Sequence, residues 1–112
     1  MYQNPFVFDP FAYVYQAFKN LYPGKECKCL FSDNLTDDNG EKVFGITEFQ
    51  DDGSVIVLIS LNLSIVDAIE VLAHELAHVA MGVEEEHGQK WKDCFDAIYD
   101  EYDKITSEDF GE

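Results

Sequence analysis

Hydrophobic and polar residues follow helical and extended patterns in turn, and they predict one helix, then a sheet, then two further helices. Asp9-Pro10 is typical of a helix start, because Asp caps free amides and Pro fits the first helical turn. Apolar residues then recur at helical spacing as far as Pro23-Gly24, which should end the segment. We therefore expect a first helix over about residues 10–21.

The middle of the chain predicts a small sheet. Two turn signals divide it, Asp37-Asp38-Asn39-Gly40 and Asp51-Asp52-Gly53. Three strands are expected around them, covering Cys27–Phe31, Val43–Phe49 and Ser54–Ser60. The third has a nearly continuous apolar run, which indicates burial on both faces or an edge covered by another element. We expect the sheet to be mainly antiparallel.

Two helices are predicted after the sheet. Ser64 can cap the first, with Asp67 three residues on, and Gly82 is the expected stop. One apolar stripe marks its buried face: Ile65, Ile69, Leu72, Leu76 and Val79. The last helix should run from about His87 to Asp103, before an acidic, frayed tail from Thr106 to Glu112. Its buried face would carry Trp91, Phe95, Ile98 and Tyr102. The expected fold class is α+β, a minimal domain over residues 1–112.

Composition and charge narrow the classes of function. The 112 residues are 46% hydrophobic, so the chain should fold, and they carry 23 acidic against 7 basic side chains, a net charge of −16. Such a surface disfavours direct binding to nucleic acid or to anionic membranes. No signal peptide or membrane-spanning run is evident. The odd set of Cys27, Cys29 and Cys94 argues against a disulfide scaffold, so a reduced, cytoplasmic protein is expected.

The segment His74-Glu75-Leu76-Ala77-His78 carries the strongest chemical signal. His74 and His78 are four residues apart on a predicted helix, so both imidazoles can reach one metal ion. Glu75 can then reach a water molecule on that ion and act as its base. This is the HExxH motif of zinc peptidases. The competing interpretation is a pair of surface histidines on a helix.

A catalytic zinc ion usually has three protein ligands, and His87 is a candidate for the third. Gly82 should break the helix between His78 and His87, so that the chain can turn back towards the metal. His87 could instead only cap the last helix. The competing third ligands are carboxylates: Glu84, Glu85, Glu86, Asp100 and Glu101.

The HExxH segment, followed by His87-Gly88-Gln89-Lys90-Trp91-Lys92, resembles the SprT-like zinc metallopeptidases over about residues 55–95. The resemblance implies a zincin-like fold in which His74, His78 and His87 bind zinc. It also implies that Glu75 is the general base for hydrolysis of peptide bonds in a protein or peptide substrate. Under this resemblance, Ser54–Ser60 would be the edge strand along which an extended substrate lies.

The chain also departs from that family. It has no CxxC pair for a zinc ribbon, since Cys27-Lys28-Cys29 is spaced by one residue, and its acidity argues against a DNA-associated role. Two alternatives remain: a zinc-binding but non-catalytic interaction domain, and an acidic decoy of a basic nucleic-acid-binding partner. The presence of Glu75 favours catalysis, because a purely structural zinc site does not need that carboxylate.

Overall fold

The fold is a layer of helices on a small sheet, seen in a computed structural model that describes residues 9–82 and 88–110. In chain order these ranges form α1 (Pro10–Leu21), β1 (Lys28–Ser32), β2 (Gly45–Phe49), β3 (Val55–Ser60), α2 (Ile65–Met81) and α3 (Gln89–Phe110). The α+β class and the order of elements expected from the sequence are confirmed. The first helix has the predicted bounds.

The sheet has the strand order β1-β3-β2, with β3 in the centre. β1 runs parallel to β3 and β2 runs antiparallel to it. The sheet is therefore mixed, and not mainly antiparallel as expected. The edge position that the family resemblance implies for Ser54–Ser60 is also wrong, because β3 has a neighbour on each side. The central position suits its apolar run, because Val57 and Ile59 on one face are buried in the core and Ile56 and Leu58 on the other face are half-buried.

Local capping explains the helix boundaries. Asp9 Oδ1 accepts hydrogen bonds from the amides of Phe11 and Ala12 at the start of α1. Ser64 Oγ accepts one from the Asp67 amide at the start of α2. At the other end Gly82 has φ 89°, a conformation that favours glycine, and its N–H donates to the His78 carbonyl. The caps read from the sequence are confirmed.

The core lies between α2, the sheet and the other two helices. The largest fully buried side chains come from all four of these parts: Val14, Phe18, Val57, Leu76 and Ile98. The stripe predicted for α2 is buried except at Ile65, which is 64% exposed in the first turn of the helix. The prediction for the end of α3 is wrong, since the helix continues to Phe110. Ile105 packs against the core and Thr106 Oγ1 donates to the Tyr102 carbonyl, which extends the helix.

The described residues contain three cysteines and no disulfide bond. Cys27, Cys29 and Cys94 are all free thiols, and Cys94 is buried in the core as the small apolar side chain that its position on α3 predicts. In the ranges that the structure describes, no helix has the length and apolar character needed to cross a membrane.

Candidate metal centre

His74 and His78 lie side by side on one face of α2. Their ring centroids are 5.0 Å apart and the rings are inclined at 66°. The opposite face of the same helix carries Leu72 and Leu76, which are buried in the core. Because the core fixes the rotation of the helix, both imidazoles are held on the side that faces α3. The structure thus brings the two rings together as their spacing predicts.

The Glu75 carboxylate is enclosed between α2 and β2, and the residue is only 7% exposed. Thr47 on β2 donates a hydrogen bond from Oγ1 to Glu75 Oε1 at 2.6 Å. The other oxygen, Glu75 Oε2, lies 4.0 Å from His74 Nε2. A buried carboxylate needs polar partners to offset its desolvation. Thr47 supplies one, and it leaves the second oxygen on the side of His74.

Gly45 allows β2 to approach α2 this closely. A Cβ atom at Gly45 would lie 2.7 Å from Val71 Cγ1 and 3.0 Å from Glu75 Oε2. Gly45 and Thr47 share one face of the strand, because side chains alternate along it. The sequence pattern did not single out either residue. The only local signal is the pairing of a glycine and a hydroxyl residue on one face of an otherwise apolar and charged strand.

Trp91 joins α3 to the histidine face of α2. Its indole Nε1 donates to the His74 carbonyl at 3.3 Å, and its ring centroid is 4.6 Å from that of His74. The same ring lies 5.5 Å from His78 and stacks on Phe95. Trp91, which the sequence places on the buried face of the last helix, thus packs α3 on the HExxH helix. The contact also places an aromatic wall beside both imidazoles.

Most candidates for a third ligand lie outside the described residues. His87 and the alternatives Glu84, Glu85 and Glu86 are not among the described residues. Glu101 accepts a hydrogen bond from Asn20 Nδ2 at 3.0 Å, so its carboxylate is bonded towards α1. Asp100 lines a cavity with Glu70 and Phe95. Within residues 9–82 and 88–110, no three His, Cys, Asp or Glu side chains form a group that could hold a metal ion.

A cavity of about 560 Å³ opens beside His74. Its wall is mainly apolar and comes from three parts of the chain: Phe44 before β2, Leu63 and Val71 around α2, and Trp91 and Phe95 on α3. Asp67, Glu70 and Lys92 add charged groups to the lining. The sequence did not predict this cavity, since its walls are far apart along the chain.

The donor set tests whether the residues fit a zinc ion. Two imidazoles one turn apart, with a carboxylate that approaches them but is held by Thr47, match the nitrogen ligands and the non-ligating base of a catalytic zinc site. Two donors on α2 leave room for a third from another segment.

Comparisons with protein-family models, with curated proteins and with solved structures find no match for this chain.

Proposed function

We propose that this protein is a zinc-dependent metallopeptidase. One observation carries the proposal: His74 and His78 lie together on α2, and the buried carboxylate of Glu75 has one oxygen 4.0 Å from His74 Nε2. The HExxH spacing and the resemblance of its surroundings to SprT-like metallopeptidases support the same activity.

Each residue of the centre has a distinct role in this proposal. His74 and His78 would hold the ion from one helix face, and His87 is the proposed third ligand. A bound zinc ion would supply a Lewis acid that polarises the scissile carbonyl and acidifies water. Glu75 takes the proton from the attacking water and returns it to the leaving amine. The hydrogen bond from Thr47 to Oε1 orients the carboxylate for this proton transfer.

The position of the sheet suggests where a substrate would lie. β2 is an edge strand, and its Thr47 contacts the helix that carries the histidines. An extended peptide would therefore lie along β2, not along the central β3. The cavity beside His74 starts at Phe44, directly before β2, so a side chain of that peptide could enter it.

The activity is tested by replacing the proposed base. We expect Glu75→Gln to keep about one zinc ion per chain but to lower peptide hydrolysis by about 10²- to 10⁴-fold, the usual effect of losing a general base. Zinc would be measured by elemental analysis, and hydrolysis with unstructured proteins and with a peptide library. A zinc-loaded wild type that yields no product would favour the non-catalytic alternative. Full activity in Glu75→Gln would show that the assigned base is wrong.

The same zinc measurement identifies the ligands. His74→Ala and His78→Ala should each lose zinc, and His87→Ala should weaken its binding by orders of magnitude, because a ligand is removed. Asp100→Asn and Glu101→Gln test the competing carboxylates, and the hydrogen bond from Asn20 on α1 to Glu101 predicts that Glu101→Gln keeps its zinc. Normal zinc affinity in His87→Ala, with a loss in Asp100→Asn or Glu101→Gln, would transfer the third position to a carboxylate.

A further inference from the structure

The cavity beside His74 has the character of a pocket for a large apolar side chain. Phe44, Val71 and Phe95 line it, and its volume of about 560 Å³ exceeds that of any single side chain. Phe44 is 65% exposed, so this wall lies at the protein surface. Filling the cavity would cover apolar area that is otherwise in contact with water, which favours an apolar occupant.

Charged residues at this cavity are mainly acidic. Asp67 and Glu70 are exposed on α2 and lie on the same helix face as His74. Glu70 and Phe95 also line a neighbouring cavity of about 520 Å³, whose lining includes Asp96 and Asp100. The one lysine of the first cavity, Lys92, is ion-paired with Asp96 at 3.3 Å. The surface that continues from the apolar pocket is therefore negatively charged.

We propose that this pocket sets the substrate class: a peptide with a bulky apolar side chain in the pocket and a lysine or arginine next to it, towards Glu70. This inference rests on the proposed peptidase function, because it places the apolar side chain beside His74. The apolar side chain gains from leaving water, and the adjacent cation meets carboxylates on α2 and α3. An acidic neighbour would instead face like charges on a chain with a net charge of −16.

Binding is measured on the full-length Glu75→Gln variant, which should not consume the peptide. Three fluorescein-labelled peptides with one Gly/Ser-rich framework differ only at two central positions, which are Phe-Lys, Ala-Lys or Phe-Glu. By fluorescence anisotropy, Phe-Lys should bind about tenfold tighter than Ala-Lys, since most of a Phe ring is buried. It should bind about two- to fivefold tighter than Phe-Glu, and added salt should reduce this second difference. Equal binding of all three peptides would overturn the inference.

Variants of the pocket locate the effect. Phe44→Ala should weaken Phe-Lys binding about threefold or more with little change for Ala-Lys, because one apolar wall is removed. Glu70→Gln should reduce the preference for Lys over Glu. Phe31→Ala and Glu108→Gln are the matched controls, since they make the same changes at positions that line neither cavity, and Phe31 lies on β1 at the opposite edge of the sheet from β2. If Phe44→Ala and Glu70→Gln bind all three peptides as their parent does, the pocket is not the binding site.

Hydrolysis of the same peptides by the zinc-loaded wild type separates this inference from the proposed function. Selective binding without cleavage would contradict the peptidase proposal but would support the proposed specificity of the pocket. Cleavage of the three peptides at equal rates, with equal binding, would contradict the proposed specificity of the pocket but would support the peptidase proposal.

Discussion

At the scale of single residues, Thr47 orients the carboxylate of Glu75. Its hydroxyl donates to Glu75 Oε1 at 2.6 Å and also lies 3.3 Å from the Glu75 carbonyl oxygen. A buried carboxylate that loses such a donor keeps its desolvation cost without compensation. Thr47 is therefore a positioning residue for the proposed base, although it has no place in the HExxH motif.

Thr47→Val keeps the shape of the side chain but removes the donor. We expect the free energy of unfolding to fall by about 1–3 kcal/mol, the usual effect of removing a hydrogen-bond donor from a buried charged group. The kcat for peptide hydrolysis should fall by about tenfold with little change in KM, because the base loses orientation rather than substrate contact. Denaturant unfolding and steady-state kinetics measure the two effects.

Thr47→Ser is the control, since serine retains the hydroxyl. It should restore most of the kcat that Thr47→Val loses. If Ser and Val at this position lower kcat equally, the methyl group and its packing matter and the hydrogen bond does not.

The residues of the centre were predictable to different degrees. His74, Glu75 and His78 follow from one helical period, which is local and readable in the sequence. Thr47, Gly45 and the cavity depend on which face of β2 meets α2, a contact between residues far apart along the chain. Periodicity does not fix such contacts, so the sequence identified the chemical groups but not the residues that position them.

Among the elements, the approach of β2 to α2 depends on the absence of a side chain at Gly45. Gly45→Ala would bring a Cβ within 2.7 Å of Val71 Cγ1, so the strand or the helix must shift. We expect a loss of about 1–3 kcal/mol in the free energy of unfolding, as for other insertions into packed contacts. Catalysis should fall as well, because the same shift displaces Thr47 from Glu75.

Gly24→Ala is the matched control for Gly45→Ala, since a Cβ there meets nothing within 4 Å. It should leave denaturant unfolding unchanged or raise stability slightly. Combining Gly45→Ala with Val71→Ala removes the colliding methyl group and should recover part of the loss. A Gly45→Ala protein as stable and active as the wild type would show that β2 and α2 do not need this close contact.

The bounds of the elements were largely predictable, but the arrangement of the strands was not. Caps at Asp9 and Ser64 and the stop at Gly82 are local signals, and each is confirmed. The turn signals show where strands end, but they do not show that β3 lies between β1 and β2. That order depends on contacts between residues far apart along the chain, which bury Val57 and Ile59 of β3 in the core.

For the whole molecule, partly buried phenols make stability depend on alkaline pH. Burial raises the pKa of Tyr22 to about 12, and burial also raises the pKa values of Tyr15, Tyr99 and Tyr102 above 10.0. In the unfolded chain these groups would ionise near pH 10. The folded state therefore binds more protons above that pH, so its stability is complete below pH 10 and is lost as pH rises towards 12.

Tyr22→Phe tests this dependence, because it removes the phenol whose pKa is raised to about 12 by partial burial. The free energy of unfolding of the wild type should fall between pH 10 and 12, and the slope should be smaller in Tyr22→Phe. Chemical denaturation at low and high salt measures both. Salt controls for the general repulsion of a chain with net charge −16. An identical slope in the two proteins would assign the alkaline loss to that repulsion alone.

The contact of Trp91 with the two histidines has a consequence during synthesis. A growing chain carries His74, Glu75 and His78 before it carries α3, so at that point it has neither the indole bond to the His74 carbonyl nor the Phe95 wall of the cavity. If the proposed activity needs this wall, an incomplete chain has the reactive groups without the pocket that selects a substrate. Docking of α3 then becomes the step that completes the pocket, and because it also brings Ile98 into the core, it completes the fold at the same time.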